Sequence, residues 1–166
     1  MSYTPKPGDL GLSSSSGWIG KSIRFAQSLI GDYSFVTHAF IVLEDGYIIE
    51  AMPGGATFSP VDKYPNAIYS KFDLTEEQRL RICEEARKLH GTKYSFLDYV
   101  ALGATHFNIR PEPIRRRVQD SGKMICSQLA SEAYRRAGVD LFPDKRLPMD
   151  VTPGDLSRLF LEHENS

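Results

Sequence analysis

The sequence has few of the residues on which metal and disulfide chemistry depend. Its 166 residues include only two cysteines and four histidines. One possible disulfide is a poor framework for a chain of this length, which favours a reducing compartment. These residues also lack the C-x-x-C and H-E-x-x-H spacings of metal sites. The pattern therefore predicts no structural zinc, no other metal and no cofactor.

Long apolar runs and a dominant charge of one sign are also missing. No stretch approaches the roughly 18 consecutive apolar residues of a membrane span. The N-terminal segment lacks the basic region and apolar run of a secretory signal. Lys and Arg number 20 against 21 Asp and Glu, a formal net charge of −1, which gives no electrostatic footprint for nucleic acid. We expect a cytoplasmic protein as synthesised, without stable membrane insertion or a nucleic-acid partner; action at a cell envelope would need another delivery route.

The residues that are present predict one globular domain spanning positions 1–166. Hydrophobic residues make up 41% and charged residues 25% of the chain, which is ordinary for such a domain. β-Branched and aromatic runs predict strands at 35–43, 47–52, 56–61 and 67–72, after a polar loop at 13–17. Helical spacing predicts helices at 19–30, 75–90, 95–105, 126–137 and from Thr152 onward. Strands followed by helices favour an α+β fold with an antiparallel sheet.

The helix predicted at 75–90 carries clear end signals. Thr75 is its expected N-cap and Gln78 closes a capping box, while Gly91 follows its last turn. We expect its inward stripe to contain Leu80, Cys83, Ala86 and Leu89.

Cys126 is the first candidate for chemistry. Residues 126, 129, 130, 133, 134 and 137 form one stripe of a predicted helix, so Cys126 lies in its first turn and faces inward. There the positive end of the helix dipole stabilises a thiolate, and free backbone N–H groups can hold an oxyanion. A small buried core residue fits the same position. The helix alone leaves both interpretations open.

His38 is the candidate base for that thiol. It is a polar residue within the apolar strand predicted at 35–43. A buried neutral imidazole near a thiol is what a cysteine nucleophile needs. A hydrogen-bonded core histidine is the alternative.

Glu50 depends on the register of the hairpin that joins two predicted strands. A two-residue loop, Asp45-Gly46, would turn Glu50 away from His38. A three-residue loop at 44–46, with Gly46 left-handed, pairs residue 40 with residue 50 and places Glu50 diagonal to His38 on one face. Glycine at the third loop position favours this second register. Otherwise Glu50 points into water from an edge strand.

The order of these residues carries a family resemblance. A strand His, an acidic residue twelve positions later and a helix-starting Cys much further on is the order of circularly permuted papain-like hydrolases. The matching segments are THAFIVLEDGYIIEAMPGG, GTKYSFLDYV and ICSQLASEAYRRAGVDL, with PGDL near the start and VTPGDL near the end. Over roughly residues 7–160 the chain resembles the NlpC-type branch, which includes the YaeF/YiiX-like bacterial proteins and the lecithin:retinol acyltransferase-like enzymes.

The resemblance implies both a fold and a chemistry. The fold is an antiparallel sheet or half-barrel packed against helices, with the nucleophile at a helix N-terminus. Cys126 matches the nucleophile, His38 the base and Glu50 the orienting residue. The acyltransferase branch has a second His where this chain has Glu50, so the chain looks nearer to the hydrolase branch.

The resulting expectation is a cysteine amidase or peptidase of bacterial or phage type. It would act through an acyl-enzyme on a peptide or acyl substrate, with cell-wall-type amide bonds as the commonest choice in the family. The enzymatic alternatives are a deSUMOylase-like isopeptidase and an acyltransferase or thioesterase. A binding domain that retains the fold without catalysis is the non-enzymatic alternative. The oligomeric state is not predicted.

Overall fold

The computed structural model describes residues 3–13, 38–52, 54–93, 126–151 and 153–164. The helices predicted at 19–30 and 95–105 lie outside these ranges, as do the first three residues of the strand predicted at 35–43 and the expected cap Thr152.

The described residues form a five-stranded antiparallel sheet. In sheet order the strands run β4-β3-β2-β1-β5. Their bounds are β1 Leu10–Ser13, β2 His38–Val42, β3 Tyr47–Met52, β4 Gly55–Pro60 and β5 Ile68–Tyr69. Together with the helices below, this sheet confirms the predicted α+β class and its antiparallel pairing.

Strand β1 corrects the prediction at the N-terminus. Ser13, expected in a polar loop, is instead the last residue of β1 and pairs with His38 of β2. Leu10 and Leu12 are fully buried, because β1 lies between β2 and β5 rather than at an edge. Pairing on both sides of the strand overrides the weak strand preference of its glycine and serine.

Helix α1, Glu76–Lys88, begins as predicted. The Thr75 hydroxyl accepts from Gln78 N and the Gln78 side chain accepts from Thr75 N, which confirms the capping box. The predicted inward stripe is wrong at one position, because Leu80 is 59% exposed. Arg79 is buried instead, since Asp9 holds its guanidinium at 2.8 Å.

Two further described helices complete the layer beside the sheet. They are α2, Cys126–Arg136, and α3, Pro153–Glu164. The predicted inward stripe of α2 is buried throughout, and so are Leu156, Leu159 and Phe160 of α3. None of the helices that the structure describes is long and apolar enough to cross a membrane.

The main core lies between one face of the sheet and these helices. From the sheet it takes Leu10, Leu12, Ala39, Ile41, Leu43, Ile49 and Ala51, and from the helices Ile82, Cys83, Cys126, Leu129, Ala133, Tyr134 and Leu156.

The opposite face of the sheet carries a smaller cluster built around Phe40, Val42 and Ile48. Phe40 lies directly over Gly11 of the neighbouring strand, where any Cβ would overlap its ring. The Phe40 ring then stacks on Tyr64 at 5.2 Å between centroids. Because strand residues alternate between faces, His38 and Glu50 share this second face with Phe40.

Candidate active site

The hairpin between β2 and β3 adopts the register that brings Glu50 toward His38. A 3-10 turn at Glu44–Gly46 joins the strands, and Leu43 N donates to Tyr47 O at 2.8 Å. Phe40 consequently pairs with Glu50. Gly46 has φ 75°, as predicted, and Asp45 is also left-handed at φ 65°. The three-residue loop is therefore confirmed.

His38 and Glu50 form a buried hydrogen bond. His38 Nε2 lies 2.7 Å from Glu50 Oε2. His38 is 6% exposed and Glu50 is completely buried. The alternative in which Glu50 points into water from an edge strand is thereby wrong, because β3 lies between β2 and β4. The carboxylate fixes the orientation of the imidazole ring and stabilises its protonated form.

Cys126 lies next to the same histidine. Its side chain interacts with that of His38 closely enough to help raise the pKa of the histidine, and Cys126 is 2% exposed at the start of α2. Since Glu50 engages Nε2, Nδ1 is the ring nitrogen left to face the thiol.

The electrostatics of His38 favour the imidazolium. Burial acts to lower the pKa of His38. Hydrogen bonds to Cys126 and Glu50, with the charges of these two groups, outweigh that penalty and raise the pKa to about 9. A histidine with this pKa holds its proton at neutral pH and can pass it to a leaving group.

Glu50 has three further hydrogen-bond donors, none of which the sequence reasoning identified. Ser59 Oγ donates to Oε1 at 2.5 Å, Lys63 Nζ donates to the same oxygen, and the Tyr64 hydroxyl donates to Oε2 at 2.6 Å. Burial acts to raise the pKa of Glu50, but its partners His38, Lys63, Ser59 and Tyr64 hold it well below the usual range. The carboxylate therefore stays ionised.

A sequence signal for part of this donor set does exist. A glutamate buried in a strand needs donors, because an unpaired buried charge is costly. Ser59 lies on the next strand and pairs with Ile48, two residues from Glu50 on the same face. Lys63 and Tyr64 lie in and just after the 3-10 turn Val61–Lys63, whose return across the sheet follows from no local pattern.

Two hydrogen bonds anchor helix α2, one beside its catalytic candidate and one in its last turn. Ser127 Oγ donates to Val151 O at 2.6 Å, and the Tyr134 hydroxyl donates to Gly8 O at 2.5 Å. Gly8 N in turn donates to Val42 O at 2.8 Å. These bonds connect the start of α2 to the chain before α3, and its last turn to the sheet through Gly8, so tertiary contacts fix the position of Cys126.

The second cysteine and two further histidines lie away from this cluster. Cys83 is fully buried in the core, as predicted, and His90 and His163 are exposed. Over the described part of the chain, no group of three His, Cys, Asp or Glu side chains is arranged to hold a metal ion.

Comparison of the chain with known proteins does not assign it to a family. No family model matches the chain, and no match is found among curated proteins. The resemblance to permuted papain-like hydrolases therefore stays a prediction from the sequence.

Proposed function

We propose that this protein is a cysteine hydrolase of the amidase or peptidase type, with Cys126 as nucleophile, His38 as acid and base, and Glu50 as the orienting residue. The observation that carries the proposal is the continuous contact among these three side chains. The side chain of Cys126 interacts with His38 and helps to raise its pKa, and Glu50 Oε2 lies 2.7 Å from Nε2 of the same ring. A nucleophile, a base and a group that orients the base are the three parts of a catalytic triad.

In the first half of the reaction, the Cys126 thiolate attacks the carbonyl carbon of an amide. A C–S bond forms, and the electron pair of the carbonyl moves onto its oxygen. Backbone N–H groups in the first turn of α2 have no partner within the helix and can donate to this oxyanion. His38 then gives its Nδ1 proton to the leaving nitrogen, the C–N bond breaks, and the acyl group remains on Cys126.

In the second half, His38 acts as a base. Its neutral ring takes a proton from water as the water attacks the thioester carbon. The C–S bond breaks, the acid product leaves, and Cys126 returns as the thiolate beside the imidazolium. His38 gives one proton to the leaving nitrogen in the first half and takes one from water in the second. The number of protons and electrons is therefore conserved over the cycle.

Glu50 acts through His38 rather than on the substrate. It fixes the ring at Nε2 so that Nδ1 faces the thiol, and its charge stabilises the imidazolium. Its three other donors hold the carboxylate in place and ionised. A rigid, charged partner is what keeps a catalytic histidine in one orientation.

The substrate class follows from the sequence resemblance. A permuted papain-like fold of the NlpC type would make peptide or cell-wall-type amides the first substrates to test. Glu50, in place of a second histidine, favours hydrolysis over acyl transfer.

A substrate panel tests the proposal. The full chain is incubated with cell-wall peptide fragments, isopeptide-linked peptides and acyl esters, and products are measured by mass spectrometry beside Cys126→Ala. We expect amide cleavage by the wild type, a covalent acyl adduct on Cys126, and neither with the variant. Cleavage that persists in Cys126→Ala, or the absence of both turnover and adduct across the panel, would contradict a cysteine hydrolase.

A further inference from the structure

Ser13 lies beside the candidate base and has an unused hydroxyl. It is the last residue of β1 and pairs directly with His38, the first residue of β2. Directly paired residues of antiparallel strands point to the same face, with Cβ atoms about 4.5–5.5 Å apart. The Ser13 side chain is therefore a neighbour of the imidazole at the end of the sheet where Cys126 also lies.

The hydroxyl of Ser13 is buried without a hydrogen-bond partner. Ser13 is 6% exposed, and among the buried side-chain oxygen and nitrogen atoms of the described residues its Oγ has no bond. A buried polar group in this condition is unfavourable. Another buried serine, Ser70, does have a hydrogen-bond partner, because its Oγ accepts from Leu10 N at 2.9 Å. A buried hydroxyl without a partner, next to the proposed catalytic histidine, indicates a position where a bound substrate supplies the missing hydrogen bond.

We infer that Ser13 is a substrate-binding residue that accepts a hydrogen bond from the leaving-group nitrogen of the scissile amide. This inference rests on the proposed function and narrows its substrate to amides that keep an N–H at the scissile bond. His38 must deliver its proton to that nitrogen, so the leaving group lies next to His38 and hence next to Ser13. A serine oxygen has two lone pairs for an amide N–H. An ester oxygen at the same position has no hydrogen to give.

The test compares Ser13→Ala with Ser70→Ala on two substrates that share one acyl group, an amide and the corresponding ester. We expect Ser13→Ala to lower kcat/KM for the amide roughly tenfold, the value of one hydrogen bond in a closed site. The ester should change much less. The alkaline limb of the pH profile should not move, since Ser13 is uncharged and its hydroxyl makes no hydrogen bond to His38.

Thermal unfolding separates substrate binding from a structural role. Ser13→Ala removes a hydroxyl with no partner, so its melting temperature should equal or exceed that of the wild type. Ser70→Ala leaves Leu10 N unpaired, so it should melt at a lower temperature while keeping wild-type kcat/KM. An unchanged kcat/KM for the amide in Ser13→Ala overturns the inference. A loss that is equal on the ester, or that comes with a lower melting temperature, overturns it too.

Alkylation of Cys126 distinguishes failure of this inference from failure of the proposed function. Fast modification of wild-type Cys126 by iodoacetamide at pH 6, together with amide turnover that Ser13→Ala leaves intact, removes only the role of Ser13. Slow modification at the rate of a free thiol, together with no turnover, removes the hydrolase itself and with it any role for Ser13 in catalysis.

Discussion

The two cysteines of this chain lie in the same core but have different surroundings. Cys83, in the middle of α1, is completely buried, and its Sγ lies 3.6 Å from Val42 O. Burial and the nearby charge of Glu44 raise the pKa of Cys83 to about 11. Cys126 is 2% exposed, yet it lies at the start of a helix and beside His38, whose pKa it helps to raise.

Their difference shows that exposure does not decide which thiol is suited to chemistry. Both cysteines are buried to nearly the same degree. Burial alone keeps a thiol protonated, as it does at Cys83, because the thiolate loses its hydration. Only the second cysteine has an imidazolium beside it to balance a negative sulfur. The chain thus contains its own control thiol, and the predictions below use it.

The largest expected effect is the loss of turnover when Cys126, but not Cys83, is replaced by alanine. Cys126→Ala should lower kcat by a factor of about 10³ or more, because no nucleophile remains to form the acyl-enzyme. Cys83→Ala should keep the wild-type kcat, since Cys83 lies in the core on α1 and bonds to the Val42 carbonyl rather than to His38. Steady-state kinetics on the best amide of the panel measures both. Equal losses in the two variants would mean that the core, not a nucleophile, is being probed.

The next effect is on the selectivity of alkylation. At pH 6, iodoacetamide should modify Cys126 at least about 100-fold faster than Cys83, because only Cys126 has a thiolate-stabilising partner. His38→Ala should remove most of that difference. Peptide mapping of each cysteine over time gives the two rates in one sample. If the two cysteines of the wild type react at similar rates, the ion pair proposed for Cys126 and His38 does not exist.

The smallest effect is a shift of the pH profile. His38 must be protonated to release the leaving group, and its pKa is raised to about 9, so wild-type kcat/KM should be retained at neutral pH and fall as the pH rises through about 9. Glu50→Gln removes a negative charge that stabilises the imidazolium. Its alkaline limb should therefore move to lower pH, and kcat should drop about tenfold.

A control for the Glu50 variant separates charge from position. Glu44→Gln also removes a carboxylate from the β2–β3 hairpin, but Glu44 pairs with Arg87 on the surface. It should leave the alkaline limb in place. A Glu50→Gln profile that coincides with the wild type would mean that Glu50 is a bystander of the reaction.

Local patterns predicted those parts of the fold that depend on neighbouring residues. The Thr75 capping box and the inward stripe of α2 both follow from spacings of three and four residues. The register that brings Glu50 to His38 followed from one glycine in a short loop. Such features are set by backbone geometry within one turn, so the sequence alone contains them.

Other parts depend on contacts between distant segments and were missed. Strand β1 is buried because two other strands pair with it, not because its own residues favour a strand. Arg79 replaces Leu80 on the inward face of α1 because Asp9, seventy residues earlier, accepts a hydrogen bond from its guanidinium. Lys63 and Tyr64 reach Glu50 only through the return of the chain after β4.

The site depends on the number of residues in the turn Glu44–Gly46 as well as on which residues occupy the site. Side chains alternate along a strand, so a shift of pairing by one position turns the whole strand over. A one-residue insertion or deletion that shifts the pairing of β3 with β2 would move Glu50 into the apolar core and bring Ile49 toward His38. In the genes of relatives, indels in this hairpin should therefore be selected against far more strongly than substitutions at its exposed residue Tyr47, which is 50% exposed.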